Sequence, residues 1–552
     1  MEWSNFQEDI FEATKHDDAN LMIQACAGSG KTTVLVEIAK LCPGNVMFLA
    51  FNKSIQTELK SRLGDSADCK TFHSYGLGLI KQEIGWYPKV DTNKVYDAIK
   101  IRFPYVRGEW SPRKTVNRIV KKMRGLGFMS YDHEEIHDFL VTTPGCYSYN
   151  PREKVREEGW AIQNIHEIEY LLRHLDELPV QQKMVGGKEN VPRYRTVIDF
   201  DDMVRYPCMY NIAARKRIYA NTVLVDEVQD TSPYQFHLLN QLYGRDVRII
   251  VVGDRLQAIY AFRGSYADSM DRVGNHIEAR ELPLSVTYRC CDEIVKFTNE
   301  NIMGSEMIPH KDGGEVEFIA KDVFVDQIKE HRVPMIIGAK NKSLIRAWLE
   351  LAKFKIASTL KDKGITREIR RILEDYKVIP TNGEPPEISI AELIVAIDDT
   401  IKNSYVIDED GESQQTLPVS TVDMYECIKE IIQIHGISHY TDFLNLLDEM
   451  DKDSDHELHT VHSSKGLEAD SVIVLGDWFK NDQLTNMQYV AYTRAKNRLM
   501  IVTDWEREED VVSISVASSN EDELGSIEEP LPDHLQPIPF PELVEEDLEA
   551  PF

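Results

Sequence analysis

The run Leu21-Met-Ile-Gln-Ala-Cys-Ala-Gly-Ser-Gly-Lys-Thr-Thr33 constrains this chain more than any other segment, because an apolar strand, a glycine turn and a helix start follow one another within 13 residues. Ala25 to Thr32 has the spacing of a phosphate-cradling P-loop, with Ala25 where the strict pattern has its first glycine. The candidate nucleotide contacts are Ala27, Gly28, Ser29, Gly30, Lys31, Thr32 and Thr33. Gly28 and Gly30 let backbone N–H groups curl around phosphate oxygens, Lys31 reaches the β- and γ-phosphates, and the Thr32 hydroxyl suits Mg²⁺. Such a loop alone leaves kinase, GTPase and motor open.

A second carboxylate-bearing strand narrows the choice. In Val223-Leu-Val-Asp-Glu-Val-Gln-Asp230 an apolar strand ends in Asp226, a candidate ligand for Mg²⁺, and the adjacent Glu227 can accept a proton from an attacking water. A small-molecule kinase needs no water-activating glutamate there, so the pair reads as a hydrolase pattern.

Short, continuously apolar runs at 46–51, 222–225, 247–252, 334–337, 471–475 and 499–503 have the character of strands buried on both faces of a parallel sheet. Between them lie two long inserts, about 80–195 and 359–456, with helical periodicity and little strand signal; the second holds an acidic, glycine-containing loop from Asp398 to Gln415. The predicted fold is α/β: two parallel-sheet cores, each with a mostly helical insert, and an acidic flexible tail. The expected boundaries are 1–80 with 196–280 for the first core, 81–195 for its insert, 281–358 with 457–505 for the second core, 359–456 for the smaller insert, and 506–552 for the tail.

Net charge is the misleading number. A formal charge of −29 argues at first against nucleic acid, whose binders usually carry a basic face. Yet residues 506–552 hold 15 acidic residues against one arginine, Arg507, together with six prolines, and nearly half of the excess sits there. Conversely, residues 102–124 carry eight basic residues and one acid, and a helix over 113–124 would align Lys114, Arg118, Lys121 and Lys122 as one positive stripe. No apolar run approaches the roughly 18 residues of a membrane helix. The first residues lack a signal-peptide pattern, and eight scattered cysteines without a C-x-x-C pair disfavour zinc, iron–sulfur or disulfide frameworks. The chain is therefore expected in a reducing compartment, the cytoplasm of a bacterial or phage-infected cell or a eukaryotic nucleus, with no membrane attachment and as a monomer.

Further segments follow in a fixed order. Asn5-Phe-Gln-Glu-Asp-Ile-Phe11 precedes the P-loop; Phe48-Leu-Ala-Phe-Asn-Lys53, Thr71-Phe-His-Ser74, Asp199-Phe-Asp-Asp-Met203, Val252 to Gly264, Thr287-Tyr-Arg289, Thr460 to Glu468 and Tyr489 to Ala495 come after it. Together they resemble the motifs of the UvrD/Rep/PcrA group of superfamily 1 helicases, and Phe51-Asn-Lys-Ser54 is similar to the F-box DNA helicase branch. The resemblance implies ATP and Mg²⁺ as cofactors and a DNA-dependent ATPase. It implies adenine contacts from Gln7 and Tyr288, a ribose contact from Glu468, γ-phosphate sensing by Gln257, and arginine fingers Arg289 and Arg494.

For the DNA track, which needs rings that stack on any base, it points to Phe51, Tyr260 and Phe262, with polar contacts from Asn52, His73, Arg263 and His462. The basic stripe is expected to touch DNA near the fork. The form of the third motif implies 3′ to 5′ movement on single strands and single–double-strand junctions, in repair, recombination or replication. The alternative is a translocase that mainly strips proteins such as recombinase from single strands. Asp482-Gln-Leu-Thr-Asn486 departs from the family, lacking its paired glutamates. The ending Val544 to Phe552 resembles the acidic Pro-Phe tip of single-stranded-DNA-binding proteins, which implies a repair or replication partner or self-inhibition of DNA binding.

Overall fold

The computed structural model describes residues 3–505 apart from 86, 105–112, 129–130, 143–146, 151–154, 159, 177–196, 217, 244, 261–267, 362, 381–385, 403–404, 408–412, 416–418, 477–484 and 504. The tail from 506 onward, with its Pro-Phe ending, lies outside these, as do Phe262 and Arg263.

Six parallel strands form the first sheet, in the order Arg280–Leu284, Leu21–Ala25, Arg248–Gly253, Thr222–Val225, Val46–Ala50, Ala67–Thr71. Residues alternate between its faces with the period of 2 that a pleated strand imposes. Ile23, Leu224, Ile250 and Val252 pack toward helices Asn5–His16 and Lys31–Leu41. Met22, Val223, Val225, Ile249 and Val251 pack toward helices Phe72–Ile84, Phe200–Met209 and Pro233–Leu242. Burying each such side chain contributes roughly 1.5–3 kcal/mol, so central strands clad on both sides can carry no polar side chain cheaply, and they read as apolar runs.

The second sheet is again six parallel strands: Glu315–Ile319, Ala495–Val502, Ala469–Leu475, Met335–Gly338, Glu457–Thr460, Thr359–Leu360. A short parallel pair, Val286–Cys291 with Ile308–Lys311, lies between the two sheets in sequence.

The first insert gathers helices Lys94–Arg102, Arg113–Gly125, His133–Thr142 and Ile165–Asp176 around a core including Val116, Val120, Ile136, Leu140 and Leu172. The second does not form a core of its own. Its helices Lys363–Asp375, Ile390–Lys402, Val419–His435 and Tyr440–Met450 share one cluster with Ile336, Trp348 and Ile473 of the second core. The segment expected as a loop from Asp398 to Gln415 is instead the end of helix Ile390–Lys402 followed by a hairpin pairing Tyr405–Ile407 with Ser413–Gln415. The first insert likewise contains a hairpin, Tyr147–Asn150 with Val155–Glu158. Among the described residues no helix is long and apolar enough to cross a membrane.

A buried ion cluster clamps the first insert onto the first core. Arg124 donates to Asp199 at 2.6 and 3.0 Å and also pairs with Asp202, while Lys94 reaches Asp202 at 2.6 Å and the Tyr206 hydroxyl at 2.6 Å. Asp199 and Asp202 simultaneously close a capping box on helix Phe200–Met209. Removing one partner of a buried pair leaves an uncompensated charge, at a cost of about 3–5 kcal/mol. Arg124→Ala is therefore expected to speed amide hydrogen exchange in helices Lys94–Arg102 and Arg113–Gly125 by the corresponding loss of opening free energy. Unchanged exchange would show that the cluster is no clamp.

Candidate active site

In a parallel sheet with helical crossovers, the loops after the strand ends collect along one edge, and ligands bind there. That edge of the first sheet carries the P-loop after Ala25, Phe51 after Ala50, Asp226 after Val225 and Asp254 after Gly253. Gly28 and Gly30 adopt left-handed backbone, φ +72° and +80°. A Cβ at Gly28 would stand 2.4 Å from the Arg289 Cβ, so only glycine lets strand Val286–Cys291 lie against the loop. Tyr288 N–H donates to Gly28 O at 2.9 Å, sealing that approach. Ser29 is buried, its hydroxyl donating to Cys26 O at 2.8 Å, and Lys31, Thr32 and Thr33 open the following helix.

Lys31 meets Glu227 at 3.2 Å. Burial alone would lower the lysine, but Glu227, Asp254 and Asp226 outweigh it and hold the ammonium above its usual value. Asp226 is buried and its carboxyl is pushed up, first by burial and then by Glu227 beside it. Burial also pushes Glu227 up, yet Lys31 and Lys465 overcome this and keep it ionised well below the usual carboxylate range. Glu227 itself sits at φ +53°, a left-handed conformation costly for a residue with a Cβ, which aims its carboxylate at Lys31.

The second core closes over this edge. Arg289 donates to Glu468 at 2.8 Å and to Thr493 O at 3.1 Å, and Glu468 also pairs with Lys496 at 2.8 Å, so the residue expected at the ribose here holds an arginine. Arg494 is buried and donates to Val490 O, Leu467 O and the Thr493 hydroxyl; among the described residues none of these partners is a carboxylate. Burial, then repulsion from Arg289, lowers it to about 9. Gln7 serves two roles: its amide oxygen accepts from Ser4 N–H at 2.9 Å, capping the first helix, and from the Tyr288 hydroxyl at 3.2 Å. Gln257 is buried, its amide donating to Asp254 at 2.7 Å.

Beside the cleft lies a ring cluster. Phe51 and Tyr260 stack with centroids 6.4 Å apart and planes 19° apart, and Tyr260 meets His462 at 5.8 Å. His462 Nε2 lies 3.1 Å from Ile259 O. Asn52 is exposed and caps helix Lys53–Leu63. His73 packs edge-on to Phe200 at 6.4 Å, and burial lowers it, favouring the neutral ring. In the insert, Arg118, Lys121 and Lys122 are exposed on helix Arg113–Gly125; Lys114 lies on the same helix, its side chain outside the described residues.

The motif spacing did not single out several residues that the fold brings to this cleft. Lys465 pairs with Asp230 at 2.5 Å, donates to Gln257 O at 2.8 Å and lies 5.0 Å over the Tyr260 ring. The Tyr489 hydroxyl accepts from Ala27 N–H at 2.9 Å and donates to Asp254 at 3.2 Å. Phe200, 54% exposed, stands beside His73. All lie within the quoted motifs, but spacing along one segment does not say which side chain crosses to the other core.

A family model described as the UvrD/REP helicase N-terminal domain matches residues 6–278, and one described as the UvrD-like helicase C-terminal domain matches residues 457–502. The chain is 26% identical over 314 residues to the ATP-dependent DNA helicase PcrA of Bacillus subtilis, covering 53% of this chain and 38% of that one. It is 25% identical over 300 residues to the ATP-dependent DNA helicase Rep of Escherichia coli, covering 50% and 40%. Against F-box DNA helicase protein 1 of Schizosaccharomyces pombe it is 22% identical over 554 residues, covering 90% and 57%. The chain thus spans well under two thirds of the length of these relatives. With both family models matched in order and a P-loop sheet faced by a second parallel sheet, this chain belongs to the UvrD-like superfamily 1 helicases.

Proposed function

We propose that the chain is an ATP-dependent DNA helicase and single-stranded DNA translocase that moves 3′ to 5′. The observation that carries this reading is the meeting, across one cleft, of Lys31, Asp226 and Glu227 from the first sheet with Arg289 and Arg494 from the second core, next to the Phe51–Tyr260–His462 ring cluster.

The donor set fits a nucleotide with a divalent cation. Two arginines that repel each other, one of them buried with no carboxylate among its hydrogen-bond partners in the described residues, favour a polyanion between them. Asp226, which burial and Glu227 drive toward the protonated form, favours a cation instead. No group of three or more metal-ligating side chains occurs among the described residues. Asp226 and Thr32 would supply a carboxylate and a hydroxyl ligand, in keeping with Mg²⁺, which is usually bound through a carboxylate or two plus substrate phosphates. Bound Mg²⁺ would neutralise developing phosphate charge.

The chain's own residues do the rest. Lys31 exchanges Glu227 for a phosphate oxygen of ATP, and the freed Glu227 carboxylate accepts the proton of the attacking water. Arg494 and Arg289 stabilise the charge on the transferring group, which requires Arg289 to leave Glu468. Gln7 and Tyr288 form the base-side wall. Phe51, Tyr260, Phe262 and Phe200 present ring faces or edges to bases, His73, His462, Asn52 and Arg263 contact the strand, and Lys114, Arg118, Lys121 and Lys122 attract the duplex side of a junction. The acidic tail is proposed to engage a repair or replication partner.

Strand displacement tests the polarity. Duplexes with a 3′ single-stranded tail should be unwound in the presence of ATP and Mg²⁺ and those with only a 5′ tail should not; unwinding of 5′-tailed substrates alone would overturn the direction.

A further inference from the structure

The turn Asp254–Ala258 runs from the end of strand Arg248–Gly253 to Ile259 and Tyr260, and so links the nucleotide edge to the ring cluster. It is short and held internally: Asp254 accepts from Leu256 N–H at 3.1 Å and from the Gln257 amide at 2.7 Å. Two side chains of the second core's helix Thr485–Tyr492 grip it from outside. The Tyr489 hydroxyl donates to Asp254 at 3.2 Å, and Asn486 donates to Ala258 O at 3.0 Å and Arg255 O at 3.4 Å. Tyr489 is fully buried, and the same oxygen accepts the P-loop N–H of Ala27 at 2.9 Å. One phenol therefore ties together the phosphate loop, the carboxylate that orients Gln257, and the second core.

We propose that Tyr489 and Asn486 are positioning residues that couple the nucleotide cleft to the DNA track, holding the Asp254–Ala258 turn so that movement of the second core is felt both at Gln257 and at Tyr260. The geometry favours this over simple packing. A side chain that only filled space would not need a hydroxyl shared between an amide and a carboxylate on two different loops of the first core. Nor would Asn486, half-buried, need to direct its amide at two carbonyls of one turn. The inference rests on the helicase reading, because coupling has meaning only if both sites are used.

The test compares the 552-residue chain with its Tyr489→Phe and Asn486→Ala variants. Two quantities are measured: the ratio of ATP hydrolysis with and without oligo-dT, and the change in oligo-dT affinity caused by a non-hydrolysable ATP analogue. Coupling is reciprocal between binding sites and is typically about 5- to 150-fold. Tyr489→Phe should lower both quantities by at least about fivefold, while nucleotide-free oligo-dT affinity stays within about twofold; Asn486→Ala should shift them in the same direction. If Tyr489→Phe fails to fold, Asn486→Ala carries the same expectation alone. Coupling intact in both variants and in the unaltered chain would overturn this inference and leave the helicase reading standing. A loss of nucleotide-free DNA affinity equal to the loss of coupling would also overturn it, since Tyr489 would then be shaping the DNA site. An unaltered chain without any coupling would bring down the helicase reading and this inference together.

Discussion

Glu227→Gln is expected to lower DNA-stimulated ATP turnover by about 10²- to 10⁴-fold, the usual contribution of a positioned general base, while leaving ATP affinity within a few-fold. The side chains have nearly the same shape, but the amide cannot take a proton. The backbone at Glu227 is already held left-handed, so the substitution does not change what the turn must adopt. Lys31 would lose the negative charge of its partner at 3.2 Å. Its charge is supported by Asp254 and Asp226 as well, and it remains available to phosphate. The measurement is steady-state phosphate release beside fluorescent-nucleotide binding. Turnover within tenfold of the unaltered chain would show that another group accepts the proton.

Arg494→Gln is expected to have the largest effect on chemistry, a fall in kcat of about 10³- to 10⁵-fold, as for arginines that stabilise a transferring phosphoryl group. Its effect on the ligand-free fold should run the other way. The Arg494 guanidinium is buried against carbonyls and a hydroxyl, and that burial, with repulsion from Arg289 second, lowers it to about 9. A base whose folded pKa is depressed disfavours its charged form, so that strain is present below about 9 and relieved as pH rises through it. A neutral glutamine removes the strain at neutral pH. The ligand-free melting temperature should hold or rise, whereas an arginine serving the fold would lower it. A sharp loss of stability together with a modest loss of kcat would assign Arg494 to structure instead of catalysis.

How far the sequence could be read depended on burial. Strand Thr222–Val225 and residues 472–475 of strand Ala469–Leu475 are covered on both faces and show as apolar runs. The edge strands Ala67–Thr71, Arg280–Leu284 and Glu315–Ile319 were not legible. They are half exposed, carry Asp68, Lys70, Arg280, Glu281, Pro283, Glu315 and Glu317, and so mimic loop composition. The hairpins inside both inserts were missed for a related reason, since strands of three or four residues leave too short a pattern to separate from a loop.

In the site, residues whose chemistry dictates spacing were legible: the glycines with Lys31, and Asp226 with Glu227. Glu468 shows the limit. Its position in the motif implied a sugar contact, while the structure commits its carboxylate to Arg289 and Lys496. Tyr489, Lys465 and Asn486 were invisible as site residues because their partners lie 208 to 462 residues away, and only the fold brings them together. Asn52 and Gln7 carry helix-capping roles that a motif alignment alone does not reveal.

ATP hydrolysis in this cleft is proposed to be stimulated by single-stranded DNA on the neighbouring rings. Phosphate release from Mg²⁺ and ATP, titrated with oligo-dT, measures it most directly. Little turnover is expected without DNA and a saturable rise with oligo-dT, a rise that Tyr260→Ala shifts to about 5- to 150-fold higher DNA concentration, in line with roughly 1–3 kcal/mol for one base stack. Turnover that is equally fast with and without oligo-dT, or that stays absent in its presence, would contradict it.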